Sequence, residues 1–139
     1  MDAPRTMTIA EVAKETGTSA HTLRYYERIG LIRPVGRAGS GHRRYCTEDV
    51  RWVTFLRHLH ATGMPIRRML DYAQLAWKGE STFTARREIL EAHRDDVAAK
   101  MKELSVNLSK LEYKIGRYIE LERQQKTAGQ PETEARHRA

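Results

Sequence analysis

The sequence of 139 residues contains a single cysteine, Cys46, so no internal disulfide bond can form. One lone thiol is typical of proteins from a reducing compartment. No apolar run approaches the roughly 20 residues that a membrane-spanning helix needs, and the first residues lack the apolar stretch of a secretory signal. The sequence therefore predicts a cytoplasmic protein without a membrane partner.

Motifs of catalysis and metal binding are also missing from the sequence. It has no Gly-rich loop before a Lys-Ser/Thr pair, no GxSxG, no CxxC and no HExxH. His58 and His60 are two residues apart and would lie on different faces of a helix, so they do not form the i, i+4 pair that holds a metal. We predict no enzyme, no catalytic residue, no metal site and no cofactor.

Aromatic residues make up only 7% of the chain, and the mean hydropathy is −0.70. This profile favours a small helical domain, with one long appended element, over a thick sandwich. The net charge is +7, and it is unevenly distributed: residues 1–70 carry twelve Lys or Arg against six Asp or Glu, while residues 71–139 carry thirteen against twelve. The excess in the first half indicates an electrostatic surface for nucleic acid.

Two short helices are predicted near the N-terminus. Thr8 and Glu11 form a capping box, and Gly17 ends the first helix. Ser19 is a natural N-cap for a second helix that runs to about Ile29. A tight Gly-containing turn between two such helices is the helix-turn-helix pattern.

A β-hairpin wing is predicted after the second helix. Leu31, Ile32 and Val35 suggest a short strand, which Pro34 restricts to a sheet edge. A Gly-rich turn follows, and residues 43–45 form the returning strand.

Beyond the wing, the sequence predicts three further helices. Thr47 is expected to cap the third, and Gly63 and Gly79 to end the third and fourth. From about residue 84 to 122, apolar residues recur at the 4/3 spacing of a coiled-coil seam. The seam residues are Leu90, Val97, Met101, Leu104, Leu108, Leu111, Ile115 and Tyr118. A helix of about 39 residues would be roughly 58 Å long, and its narrow stripe needs a partner helix, most simply a second copy.

Hydroxyls, guanidinium groups and phenols are concentrated in residues 19–45, and this mixture suits DNA better than a core. The predicted DNA-binding residues are Ser19, His21, Thr22, Arg24, Tyr25, Tyr26, Arg37, His42, Arg43 and Arg44. Ala20, His21 and Thr22, at the start of the second helix, would lie nearest the base edges. Tyr25 and Tyr26 would hold phosphates. The alternative is that the tyrosines are half-buried, but adjacent helical residues point about 100° apart, so Arg24, Tyr25 and Tyr26 cannot all be core.

Cys46 leaves two interpretations open. Neighbouring cations favour a thiolate, which would permit a redox or metal switch. The simpler interpretation, which we favour, is a small residue at a strand-to-helix junction.

The segments TLRYYERIGLIRP (22–34) and RAGSGHRRY (37–45) resemble the signature of the MerR family of bacterial transcription regulators. The resemblance extends through EDVRWVTFLRHLHATGMPI (48–66) to EAHRDDV (91–97) and LEYKI (111–115), and covers roughly residues 7–122. GHRRY and LEYKI are most similar to the aldehyde- and thiol-stress branch. That branch often has a cysteine in the third helix, where this chain has His58.

The resemblance implies a winged helix-turn-helix domain, a helical connector and an antiparallel coiled-coil homodimer. It also implies that two recognition helices bind a pseudo-palindrome between the promoter elements, and that an effector makes the dimer distort the spacer so that RNA polymerase engages both elements. The DNA contacts carried over are Thr22, Arg24, Tyr25, Tyr26, Arg37 and Arg43. The sensor cysteines of the metal-sensing members are missing from residues 81–91 and from the tail. Because no separate ligand domain is expected after the coiled coil, any effector site is expected to be small and near the junction of the third and fourth helices with the fifth.

The predicted fold class is therefore mainly α, with a winged helix-turn-helix DNA-binding domain and two-helix connector over 7–79. A coiled-coil dimerisation helix over 84–124 and a disordered tail over 126–139 follow. The expected partners are double-stranded DNA, a second copy of the chain and, indirectly, RNA polymerase. The alternative function is a coiled-coil adaptor that does not bind DNA specifically.

Overall fold

The computed structural model describes the backbone of residues 6–34, 36–37 and 43–138, and their side chains except at 37, 43 and 130–138. The elements are, in chain order, α1 (Ile9–Thr16), α2 (Ala20–Arg28), β1 (Gly36–Arg37), β2 (Arg43–Arg44), α3 (Thr47–Ala61), α4 (Ile66–Lys78), a 3₁₀ turn (Glu80–Thr82) and α5 (Phe83–Arg138). The fold is mainly helical, as the sequence predicts.

The helix-turn-helix forms where its capping residues predict it. The Thr8 amide donates to Glu11 Oε1 at 3.3 Å and the Glu11 amide donates to Thr8 Oγ1 at 3.2 Å, which completes the capping box of α1. Gly17 ends α1 in the left-handed region, with φ of 71°. Ser19 caps α2 by accepting a hydrogen bond from the Thr22 amide at 3.1 Å.

The first strand of the wing differs from the prediction. Leu31 and Ile32 form a bend, because their amides donate back to the Tyr26 carbonyl at 2.8 and 3.2 Å and thereby finish α2. Both side chains are buried, so their apolar character reflects the core and not a strand. Val35 lies outside the described residues, and β1 begins at Gly36.

The wing strands themselves are short and antiparallel. Gly36 pairs with Arg44, and Arg37 with Arg43. Tyr45 then pairs with Met7 through two backbone hydrogen bonds of 2.7 and 2.8 Å. This bridge ties the returning strand of the wing to the segment that enters α1.

The start of α3 is shifted by one residue from the prediction. Cys46 is the N-cap and Thr47 is the first helical residue. The Cys46 backbone is extended, and its amide donates to Asp49 Oδ2 at 2.9 Å. Asp49 therefore satisfies the cap from within the first turn, where its negative charge also favours the helix dipole. The predicted end of α4 is confirmed at Gly79.

One hydrophobic core holds α1 to α4 together. Its buried members come from α1 to α4, from the bend after α2, from the bridge at the end of the wing and from the α3–α4 turn; they are Val12, Leu23, Tyr26, Leu31, Ile32, Tyr45, Val53, Leu56, Leu59, Met64, Met69 and Ala73. Each large side chain buried in this way stabilises the fold by about 1.5–3 kcal/mol.

Aromatic and cationic contacts couple the connector helices to the end of α2. Trp52 Nε1 donates to the Leu31 carbonyl at 2.9 Å. Arg33 donates to the Trp77 carbonyl at 3.1 Å, and its guanidinium lies 5.4 Å from the centre of the Trp77 ring. Trp52 also stacks on Tyr72, with ring centres 5.9 Å apart. The end of α2 and the residues after it are therefore anchored to α3 and α4 by polar contacts as well as by the core.

The chain divides between Asp95 and Asp96 into two compact units. The second unit consists of the remainder of α5, which continues to Arg138. In this structure residues 126–138 belong to α5, whereas the sequence predicts a disordered tail over 126–139. That prediction rests on the polar composition of the stretch and on Gly129 and Pro131, two residue types that disfavour a helix interior. No helix among the described residues is long and apolar enough to cross a membrane.

Candidate nucleic-acid interface

The exposed face of α2 is polar and cationic. His21 and Arg24 are exposed, Thr22 is half-buried, and Tyr25 is 38% exposed. Leu23 is fully buried, so the helix turns its apolar face to the core and its functional groups outward. This arrangement gives α2 one surface on which side chains reach solvent from its first turn to its last.

Tyr26 differs from its neighbours, because its ring lies in the core and the residue is only 5% exposed. Only the hydroxyl of Tyr26 is therefore placed to make the predicted phosphate contact, which stays a prediction. Burial raises the pKa of the Tyr26 phenol, and the neighbouring Tyr25 adds a smaller effect in the same direction. The hydroxyl is therefore retained as a neutral hydrogen-bond donor.

The first turn of α2 presents an ordered pair of hydroxyls. Ser19 Oγ accepts from the Thr22 amide and donates to Thr22 Oγ1 at 2.9 Å. The amides of Ala20 and His21 precede the first intrahelical bond, which is donated by Leu23 to the Ser19 carbonyl. Free amides and the positive end of the helix dipole make this turn favourable for an anion.

An arginine in the last turn of α2 belongs to the same face but was not among the predicted residues. The Arg28 guanidinium lies 5.8 Å from the centre of the Tyr25 ring, and Arg28 is exposed. The cation–π contact orients both side chains. Its i, i+3 spacing on the predicted helix was a usable signal in the sequence.

Among the predicted DNA-binding residues of the wing, the structure describes the side chain of Arg44. Arg44 is half-buried on β2. The backbones of Arg37 and Arg43 are paired across the hairpin, whereas His42 lies outside the described residues. The predicted DNA contacts at these positions remain predictions.

Two further residues, Arg57 and His60 of α3, lie beside the start of α2 and line a cleft with Ser19, Thr22 and Tyr26. Neither residue is among the DNA-binding residues predicted from the sequence. They are more than thirty residues away in the chain, and only the packing of α3 against the helix-turn-helix brings them there.

Cys46 is half-buried at the N-cap position of α3, where its backbone amide donates to the Asp49 carboxylate. In the described part of the chain, no group of three His, Cys, Asp or Glu side chains is arranged to hold a metal ion. His58 and His60 are exposed on α3. His93 of α5 instead makes a 2.7 Å hydrogen bond with Thr62 Oγ1.

The predicted seam of α5 is solvent-accessible along most of its length. Leu104 is 67% exposed and Leu111 is 62% exposed, while Leu90 and Val97 are half-buried. Two apolar residues off the predicted seam, Val106 and Tyr113, are also exposed.

Comparison with known proteins agrees with this architecture. The model of the MerR HTH family of regulatory proteins matches residues 7–74. The transcriptional regulator AdhR of Bacillus subtilis is 46% identical over 88 residues, which cover 63% of each chain. An uncharacterized HTH-type transcriptional regulator of Haemophilus influenzae is 35% identical over 81% of this chain and 84% of its own.

Solved structures give the same result. A putative MerR family regulator from Listeria monocytogenes has a TM-score of 0.76 and 39% identity, with 81% of this chain and 85% of that chain covered. HiNmlR, a MerR family regulator lacking the sensor domain, has been solved bound to promoter DNA; it has a TM-score of 0.75 and 35% identity over 82% of this chain and 90% of its own.

The fold and these relatives place the chain among the helix-turn-helix transcription regulators, a class of proteins that are not enzymes. The chain belongs to the MerR family.

Proposed function

We propose that this protein regulates transcription as a homodimer that binds a pseudo-palindromic promoter site in double-stranded DNA. The observation that carries the proposal is the exposed polar face of α2, with Arg24 and Tyr25 outward and Leu23 in the core. The similarity to HiNmlR, which was solved on promoter DNA, supports the same assignment.

The side chains of α2 divide into two roles by position. His21 and Thr22 lie in the first turn, which in helix-turn-helix proteins approaches the base edges of the major groove. Arg24 is long enough to reach a base or a phosphate, and its guanidinium fork matches the O6 and N7 acceptors of guanine. Tyr25 contacts phosphate, which fixes the register of the helix without selecting a sequence.

The proposed dimer forms through the seam of α5. Its residues include Leu104, Leu108 and Leu111, all more than half exposed in the single chain. Burial of one such side chain against a partner helix contributes about 1.5–3 kcal/mol. Charged flanks beside an apolar stripe are typical of coiled coils and favour a second copy in antiparallel pairing, the arrangement that the family resemblance implies.

A dimer supplies two copies of α2, and two half-sites separated by one helical turn or a multiple of it would accommodate them. Bending or untwisting the DNA between them costs a few kcal/mol, which protein–backbone contacts offset. In this proposal, RNA polymerase responds to the altered DNA and not to a direct contact. The protein acts in the cytoplasm, where its DNA target would lie.

The test is equilibrium binding of the full chain to a duplex from the promoter adjoining its own gene, with a scrambled duplex as control. The apparent association constant should fall steeply as salt rises, because each neutralised phosphate releases counterions. The promoter duplex should remain favoured at every salt concentration. Affinity that is insensitive to both salt and sequence would support the coiled-coil adaptor instead and would refute the DNA-binding function.

A further inference from the structure

A cleft of about 270 Å³ opens between the start of α2 and the last turns of α3, and we call it the α2–α3 cleft. Its functional lining consists of Ser19, Thr22, Tyr26, Arg57 and His60. Every one of these side chains carries a hydrogen-bond donor. None carries a carboxylate, so the cleft is suited to an anion.

Arg57 supplies the positive charge of the cleft. Its guanidinium lies over the turn between α1 and α2, where Cζ, Nη1 and Nη2 are 2.9 to 3.2 Å from the position that a Cβ on Gly17 would occupy. Among the described residues, no carboxylate or carbonyl accepts a hydrogen bond from it. Packing against Gly17 therefore positions the guanidinium while its donors stay available.

Tyr26 gives an independent indication that the cleft receives a ligand. The residue is 95% buried, yet no described group forms a hydrogen bond with its hydroxyl. The Tyr26 hydroxyl lies at the wall of the cleft, where a ligand can reach it. The Tyr26 hydroxyl can therefore donate one hydrogen bond to a ligand in the cleft.

The first turn of α2 adds backbone donors to the same place. Ser19 already donates to Thr22 Oγ1, so the Thr22 hydroxyl can direct its own proton outward. The amides of Ala20 and His21 precede the first intrahelical bond. An oxyanion at this turn would also gain from the helix dipole.

From this geometry we infer that the α2–α3 cleft binds one phosphate of the DNA backbone, with Arg57 as its charged ligand and Tyr26, Thr22 and His60 as donors. The inference rests on the proposed DNA-binding function and adds α3 to the DNA-contacting elements. A phosphate held between α2 and α3 fixes how far α2 enters the major groove. It therefore positions the helix for reading bases without itself selecting a sequence.

The first test compares Arg57→Gln with Arg51→Gln. Arg51 is exposed on the same helix, six residues earlier and about 120° around the axis, so the two variants lose the same charge from different faces. Arg57→Gln should weaken binding to promoter and scrambled duplexes alike by about tenfold, as expected for one charge-assisted hydrogen bond. The magnitude of the slope of log K against log salt concentration should decrease by about one in Arg57→Gln. Arg57→Lys keeps the positive charge and should therefore keep most of the wild-type slope.

The second test is Tyr26→Phe, which removes only the hydroxyl. Affinity should fall several-fold on both duplexes, while the salt slope stays that of the wild type because the phenol is neutral. Unfolding temperature, measured for each variant, separates loss of a contact from loss of the fold.

The outcomes distinguish the two proposals. If the wild type fails to bind DNA in a salt-dependent manner, the proposed function fails. In another result, the wild type binds DNA as proposed while Arg57→Gln has the same DNA affinity as Arg51→Gln, and Tyr26→Phe the same affinity as the wild type. That result would refute only the phosphate site.

A free anion is the other source of the same chemistry. Inorganic phosphate, titrated at constant ionic strength, should not produce saturable shifts of the Ala20 and His21 amide NMR signals in the millimolar range, because a free ion gains none of the neighbouring backbone contacts that hold a DNA strand against the cleft. Saturable binding of inorganic phosphate, without any effect of Arg57→Gln on DNA, would overturn the assignment to the DNA backbone.

Discussion

Gly17 illustrates how a single residue supports both the fold and the proposed phosphate site. Its φ of 71° lies in the left-handed region, and a Cβ there would lie 2.9 Å from the Arg57 guanidinium carbon. Gly30 has a similar φ of 86°, but among the described residues beyond its chain neighbours no atom lies within 4 Å of the place that a Cβ would take. Substitution of either glycine would therefore strain the backbone, but only substitution of Gly17 would also displace the Arg57 guanidinium.

We expect Gly17→Ala and Gly30→Ala each to lower the free energy of unfolding by about 1–2 kcal/mol, which is the cost of a left-handed non-glycine residue. Only Gly17→Ala should also weaken DNA binding, because it pushes the Arg57 guanidinium from its position. Chemical denaturation and duplex binding measure the two effects. Equal DNA affinity in both variants would mean that the position of Arg57 does not matter.

Arg24 is the residue of α2 most suited to base recognition. If it contacts a guanine, Arg24→Ala should cost about 1–3 kcal/mol of binding free energy on the promoter duplex. It should cost less on the scrambled duplex. Competition binding with both duplexes provides the measurement, and an unchanged promoter affinity would remove Arg24 from the interface.

Cys46 is expected to serve the structure through its backbone. Because its amide donates to Asp49, Cys46→Ser keeps that bond and adds a better N-cap side chain. The variant should be as stable as the wild type, or more stable by up to about 1 kcal/mol, with unchanged DNA affinity and an unchanged response to inducing conditions in a promoter assay. Loss of that response would assign the thiol to sensing.

At the scale of elements, the sequence best predicts the helices whose first residues are fixed by hydrogen bonds between near neighbours in the chain. The Thr8–Glu11 box and the Ser19 cap act within three residues, so α1 and α2 were predictable. Leu31 and Ile32 were misassigned to a strand because a short apolar pair has the same pattern in a strand and in a buried bend.

Residues brought together by packing were not predictable in the same way. Arg57 reaches Gly17 only because α3 packs on α1, and neither residue signals the other in the sequence. Helical periodicity shows that Arg24, Tyr25 and Tyr26 cannot all be buried, but it does not show which of the three is. The structure shows that the buried residue is Tyr26. α5 continues through residues 126–138, although Gly129 and Pro131 predict a break in a helix there.

The seam of α5 offers a test of the proposed dimer at this scale. Leu104→Lys or Leu111→Lys would bury a charge between the two helices, and sedimentation should show a shift toward monomer. Val106→Lys is the matched control, because Val106 is exposed two residues from Leu104 but off the seam. Dimers of equal strength in all three variants would place the interface elsewhere.

At the scale of the whole molecule, charge and apolar surface are separated along the chain. Residues 1–70 carry most of the net charge of +7, and the exposed apolar residues are concentrated in α5. A positively charged region that contains a helix-turn-helix and a long helix with an unpaired apolar seam are the two parts that a dimeric DNA-binding protein needs.

The most direct measurement of the central claim is selection of binding sites by the full chain from a pool of randomised duplexes. The account predicts enrichment of an inverted repeat whose two halves each fit one copy of α2, with enrichment lost in Arg24→Ala and in Leu104→Lys. Recovery of a single unrepeated site, or no enrichment at all, would contradict it.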